Sequence, residues 1–548
     1  MRRLAYGLMA AGCCLLLGGA RQARSQSKID KDLCSPAPGS VPPALPARLM
    51  RGQGGVHMPI TTRSAEAQKF FDQGVSQMHS FWAIEAERSF LQAAKLDPEA
   101  PMPQWGIAMV AAGDYRPTFQ LGGRPRKPPK PGPVRPNVGR ARAAAATAQK
   151  LSANASRREQ LYIAAVAARR NPNSKDPDGN YIEALRALLK EFPQEVEARS
   201  YLALALMNGY TTPDKKPRPG TEEAVAILQK LVKEAPDHPG AHHYVIHALE
   251  GSTHPQDAWE SCQRYPELAP EIPHALHMPG HIYVQSGRFA DAAAAFDAAA
   301  RKEREYLAAD QLYPNGHHGH NVHFLATADC FLRDYDGAMK ASQELLDIAE
   351  TPRERKQPTN WYTAHRQGWF ARMRTLVAFE KWDEILAGGA LPEYPGPRER
   401  AWRAWARGLA YAAKGDLPHA RGERKAMDRQ MKEWRKVAGS ESPHLRVARG
   451  ELAGHIEMHA GHAAKGLDQL ERAAHMELAL HYNEPPAYPR PVWEAMGREA
   501  LMARQWGRAQ DAFRHALEQN PDSPRAKEGL TAALAGSGKT VTASLGAE

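Results

Sequence analysis

Cysteine is scarce in these 548 residues: there are five in all, and Cys13 and Cys14 fall inside the first 25. Cys34, Cys262 and Cys330 are too scattered for a cysteine metal site or a disulfide framework, although one bridge stays open in an oxidising compartment. Beyond the N-terminal segment no apolar run is long enough to cross a bilayer. No stretch alternates polar and apolar residues as a half-buried strand does. Acidic residues are missing from one region: after Asp114, residues 116–142 hold eight Lys or Arg and no carboxylate. Much of the net charge of +11 is therefore local. The same stretch is dense in proline, which reads as an extended, solvated loop. Without aromatic interleaving it does not point to nucleic acid.

What is present begins with an export pattern. Arg2 and Arg3 precede an apolar segment, Leu4 to Ala20, that ends in small residues. Cleavage after Ala20 or after Ser25 is open, and a lipoprotein box at Cys13 has too short an apolar core before it. The expectation is a signal peptide over 1–25 and a periplasmic or secreted chain. Residues 26–63 read as a Pro/Gly-rich leader.

From Ser64 a 34-residue period sets in. Gly74, Ala86, Phe90, Ala93 and Pro98 occupy positions 8, 20, 24, 27 and 32 of a helix–turn–helix unit. Ala224, Ala258 and Ala292 keep the spacing, and Gly497, Ala509, Phe513, Ala516 and Pro521 repeat the full set near the end. Small residues let two helices approach closely, and the proline stops the second. This is the tetratricopeptide pattern. It predicts an all-α solenoid over 64–535, with inserted loops at 116–142, 310–320 and 482–491 and a polar tail at 536–548. Gly536-Ser537-Gly538-Lys539-Thr540 imitates a phosphate loop, but Ala533 stands where the first glycine belongs and no strand precedes it. Trp82, Trp105, Trp382 and Trp506 fall at core or turn positions and read as packing.

Histidine is in phase with the repeat. Twelve of 23 lie between His238 and His323. His243 and His277 take position 5, His247 and His281 position 9, and His274 and His320 position 2. With Ala338 at position 20, His323 returns to position 5. Residues four apart share a helix face, and equivalent positions of stacked units lie side by side. Imidazole suits zinc, copper, iron and nickel. The expected site is therefore a transition-metal site (zinc, copper or iron) on the concave groove, with His243, His247, His277, His281, His320 and His323 as ligands. Glu250, at position 12, is the candidate catalytic base, with ligand and imidazole-orienting roles as alternatives. The Tyr313–His320 loop is expected to fold over the groove as a lid. His238, His242 and His254 lack the phase and read as surface or turn residues, His317 and His318 as loop histidines. His455, His459 and His462 read as a solvated helix face. The competing reading is a metal-free scaffold that docks a small-molecule or peptide ligand, or a protein partner, in its groove.

Phe71-Asp72-Gln73-Gly74, the segment from His243 to Glu250, His277-Met278-Pro279-Gly280-His281, the segment from His320 to Phe324 and Tyr482-Asn483-Glu484-Pro485-Pro486 together resemble a group of bacterial tetratricopeptide-repeat proteins of no assigned activity. The resemblance spans nearly all of the chain after residue 25 and departs from the group in the long basic insertion. It implies the fold and a shared histidine site, and no reaction.

Overall fold

The computed structural model describes residues 46–113, 115–117, 136–309, 315–480, 485–486 and 488–538. Among them the chain is helical throughout, with one isolated bridge, Tyr210–Pro217, and no strand. No helix is long and apolar enough to cross a membrane. Each helix packs chiefly on the next: Ala65–His79 on Ala83–Leu96, Pro273–Gln285 on Phe289–Ala309, Val492–Met502 on Trp506–Gln519. Serial antiparallel pairing of this kind makes a solenoid.

The repeat residues do what their sizes dictate. Phe90 is wedged between Gly74 and Gly106, where an added Cβ would fall 2.6 and 2.5 Å from its ring. Phe296 fills the same notch at Gly280, and Phe513 lies between Gly497 and Gly529. Pro98, Pro236, Pro270 and Pro521 each lie just past the end of a helix. The fold is an all-α solenoid of tetratricopeptide type.

Two boundaries differ from expectation. The helix Pro136–Leu151 takes up the end of the basic segment, because Pro136 is preset for a first helical position and an alanine run follows. The helix Asn315–Leu332 begins inside the segment read as the 310–320 loop, so His317, His318 and His320 are helical. Of the lid expected over Tyr313–His320, residues 315–320 are therefore helix, and 313–314 lie outside the described residues. The export segment and most of the polar tail lie outside them as well.

The leader from Pro46 onward is tied down along the first helix. Met58 and Val56 are buried, and the backbone runs along the first helix with its N–H groups captured by side chains. Met50 N donates to Gln73 Oε1 (2.7 Å), Val56 N to Ser76 Oγ (3.0 Å) and Met58 N to Asp72 Oδ1 (3.1 Å). Glu271 N donates to the carbonyl of Gly52 (3.2 Å), tying the strap to a helix pair far along the chain. Superhelical winding also brings the first helix against Pro239–Leu249. Through it the start of the array reaches the histidines.

Candidate metal centre

Three helices carry the site. Pro239–Leu249 and Pro273–Gln285 each start with proline at the first position, where its missing N–H costs nothing. The third is Asn315–Leu332. Their histidines gather into two trios: His243, His247 and His274, then His277, His281 and His320. Within each trio the ligand atoms lie within 4.8 Å of one another. Each trio takes positions 5 and 9 from one unit and position 2 from the next. The same construction therefore occurs twice, one repeat apart.

All six imidazoles are buried, none above 3% exposed. Phe81 covers the first trio, its ring 4.5 Å from His243 and 5.3 Å from His247. Phe296 and Phe324 wall the second, Phe324 lying 4.9 Å from His281 and 4.7 Å from His320. In place of an open groove lined by histidines there is a buried row of imidazoles. The reason is the first helix, whose end (His79, Ser80, Phe81) is laid over the row.

Ring orientation is fixed from behind. His243 Nδ1–H donates to the backbone carbonyl of His79 (2.5 Å). His247 Nδ1–H donates to Glu250 Oε2 (2.9 Å) and His281 Nδ1–H to Glu250 Oε1 (2.7 Å). With Nδ1 as donor, a neutral imidazole presents its lone pair at Nε2. Those Nε2 atoms face other imidazoles: His243 Nε2 lies 3.0 Å from His274 Nε2, and His281 Nε2 lies 2.6 Å from His277 Nε2. A tetrahedral ion with bonds of about 2.0–2.1 Å needs its ligand nitrogens roughly 3.3 Å apart. At 3.0 and 2.6 Å the pairs sit closer than that, the second by about 0.7 Å, and must open on loading. Without an ion, one imidazole of each pair must donate Nε2–H, leaving Nδ1 of His274 and of His277 bare; both atoms are buried without a hydrogen bond.

Burial, and then neighbouring imidazoles, push His243, His274, His277 and His320 well below the ordinary histidine value. They are neutral at neutral pH, the form a metal requires. Burial raises the Glu250 carboxyl, but pairing with His281 and His247 outweighs it and holds the group at about 2. Glu250 has an imidazole on each oxygen, so it orients two ligands, one from each trio. Of the roles expected of Glu250, orienting imidazoles is the one these contacts display.

Two assignments change. His323 joins neither trio; three residues beyond His320, it turns toward Phe370 (ring centroids 5.9 Å) and bonds to Gln367. It keeps position 5 of its unit, but position 9 of that unit is Thr327, so no further trio forms there. His274 takes the vacant place, and its shared position with His320 was the available signal.

Other histidines buttress the site. His238 Nδ1 accepts from Ala241 N at a helix start, so its Nε2–H donates to Glu197 Oε1 (3.0 Å). His79 Nε2 lies 2.5 Å from Glu197 Oε2, and its Nδ1 3.0 Å from the Tyr244 hydroxyl. This group holds His79, whose carbonyl orients His243. His242 is also buried, bonded to Ser261 and the Pro236 carbonyl, so of the three unphased histidines only His254 is exposed. His317 pairs with Glu303 (3.0 Å) and His318 with Glu344 (2.8 Å). Far along the chain His455 is buried against Glu499 (2.6 Å), while His459 is partly covered and His462 exposed. That helix face is solvated only at its end.

No family model matches the chain, and no curated protein matches it. Solved structures of similar outline are repeat proteins. Yeast Tom70 is 12% identical, with 86% of this chain and 95% of that chain covered and a TM-score of 0.35. The P58(IPK) TPR domain is also 12% identical over 86% of this chain and 99% of that one, at a TM-score of 0.23. The human IFIT1 dimer with PPP-AAAA, again 12% identical, covers 86% and 91% with a TM-score of 0.31. Likeness at this level says nothing about partners; the solenoid assignment stands on the helix pairing and the glycine–phenylalanine notches.

Proposed function

We propose that this chain is an exported metal-binding solenoid, each histidine trio holding one transition-metal ion. The observation that carries the reading is the repeated construction: three buried imidazoles per trio, with nitrogens converging and His243, His247 and His281 anchored at Nδ1. Anchoring of the remote ring nitrogen by a carboxylate or carbonyl is the usual support of a histidine ligand. An all-imidazole donor set favours zinc, copper or iron. Three protein ligands leave a fourth position for water or substrate, which is what a metal-dependent enzyme would use. The export pattern supports a periplasmic or secreted setting, and the histidine motifs support membership of the bacterial group they resemble.

Burial of the six rings weighs against a peptide docked directly on them. Elemental analysis of protein purified without a metal-affinity tag tests the proposal. Up to two equivalents of one transition metal per chain are expected, or uptake of two on titration. Metal-free protein that takes up none would leave the partner-docking scaffold as the better reading.

A further inference from the structure

A second site lies beyond His323, and it stands whether or not the trios hold metal. His323, Arg374 and Arg398 gather around the ring of Phe370. The Arg374 guanidinium carbon is 5.7 Å from the ring centroid and that of Arg398 is 5.1 Å from it. Arg374 projects from the helix Ala364–Ala378 and Arg398 from Pro397–Ala413. Arg374 is 3% exposed, yet among the described residues no carboxylate pairs with it. Its terminal nitrogens are spent on backbone carbonyls, those of Tyr488 and Pro489 at 3.2 Å each and that of Pro486. Its Nε is buried with no hydrogen-bond partner, and so is Nε2 of His323. Among the described residues Arg398 pairs only with Glu399, at 3.4 Å, and its side chain keeps 14% exposure. Trp361 lies under the Arg398 guanidinium at 5.0 Å and stacks on Tyr362 at 3.8 Å.

Buried guanidinium without a counter-charge is costly, because desolvation is not repaid by pairing. We infer that the cluster of His323, Arg374 and Arg398 around Phe370 is a binding site for a small oxyanion, a carboxylate or a phosphate. Guanidinium forks recognise both groups through charge-assisted hydrogen bonds. The orphaned Nε–H of Arg374 and the Nε2 of His323 supply inner contacts, and Arg398 closes the outer side. Phe370 and Trp361 give a flat apolar wall, which favours a planar organic body on the anion. Both the metal trio and this site draw on the helix Asn315–Leu332, His320 facing one and His323 the other.

Thermal unfolding of the full chain in benzoate, acetate or inorganic phosphate, each against chloride at matched ionic strength, tests the site. Binding to the folded state raises the midpoint with saturation. Benzoate above acetate indicates a carboxylate with a flat body; phosphate above both indicates a phosphate ligand. Arg374→Gln also releases the 486–489 carbonyls, so Arg398→Gln is the decisive variant. It should weaken the apparent affinity about tenfold or more, the worth of one charge-assisted contact. Arg372→Gln removes a charge from the same helix at a side chain that reaches Ser342 instead, and should respond like the parent. No anion exceeding chloride, or Arg398→Gln saturating like the parent, would overturn the inference.

Discussion

Replacing Glu250 by glutamine separates this account from its rivals, because one carboxylate serves two trios. In the native arrangement Oε2 accepts from His247 and Oε1 from His281. Glutamine keeps one acceptor and turns the other contact into N–H facing N–H. One ring must then flip or lose its partner, and an unsatisfied buried donor costs about 1–3 kcal/mol. Loss of a carboxylate behind a histidine ligand typically costs about 10–100-fold in metal affinity, or roughly 1.4–2.8 kcal/mol. The rings belong to different trios, so one trio loses a ligand's hydrogen bond, the other loses the negative charge behind its ligand, and both ions should weaken from a single substitution. Competition against a chromophoric chelator, fitted to two sites, reads this out, with far-ultraviolet circular dichroism to confirm retained helix. Unchanged affinities at both sites would refute the reasoning. Loss at one site alone would show that Glu250 does not couple them.

Further outcomes follow from the same geometry. His247→Ala with His281→Ala should abolish binding at both trios while helicity stays near the parent value, because solenoid stability is spread over repeat interfaces; retained metal stoichiometry would contradict it. Gly280→Ala places a Cβ 2.4 Å from the Phe296 ring and should destabilise by about 1–3 kcal/mol in denaturant titration. Burial lowers His455, but Glu499 and Glu451 outweigh it and hold it at about 9. The folded value lies above the unfolded value of roughly 6.5, so its stabilisation is complete below that pH and fades as pH rises through 9. Unfolding free energy should therefore fall between pH 7 and pH 10, and His455→Gln should flatten this part of the profile.

Much of the architecture was legible because tetratricopeptide packing is set by residue size at fixed spacing. Gly74, Phe90 and Pro98 announce a notch, its wedge and a helix stop. The pairs His243–His247 and His277–His281 were legible for the same reason, as helix and repeat periods reinforce each other. The share of each trio was not: His323 keeps position 5 of its unit but has Thr327 at position 9, and the third place of the first trio goes to His274 from the next unit. Closure of the site was hidden further, since His79 meets His243 across 164 residues through superhelical winding. No local pattern encodes that curvature. The docking of the leader was not legible, because composition registers its proline and glycine but not the partners, Gln68, Asp72, Gln73 and Ser76, spaced along the facing helix to receive its backbone.

The central claim is most directly tested by anomalous diffraction from crystals grown with the metal found on elemental analysis, measured on either side of its absorption edge. The account predicts two peaks, one bounded by Nε2 of His243, His247 and His274 and the other by Nε2 of His277, His281 and His320, at metal–nitrogen distances of about 2.0–2.1 Å. Imidazole pairs with no peak between them, or a metal seated instead at His455, His459 and Glu499, would contradict it.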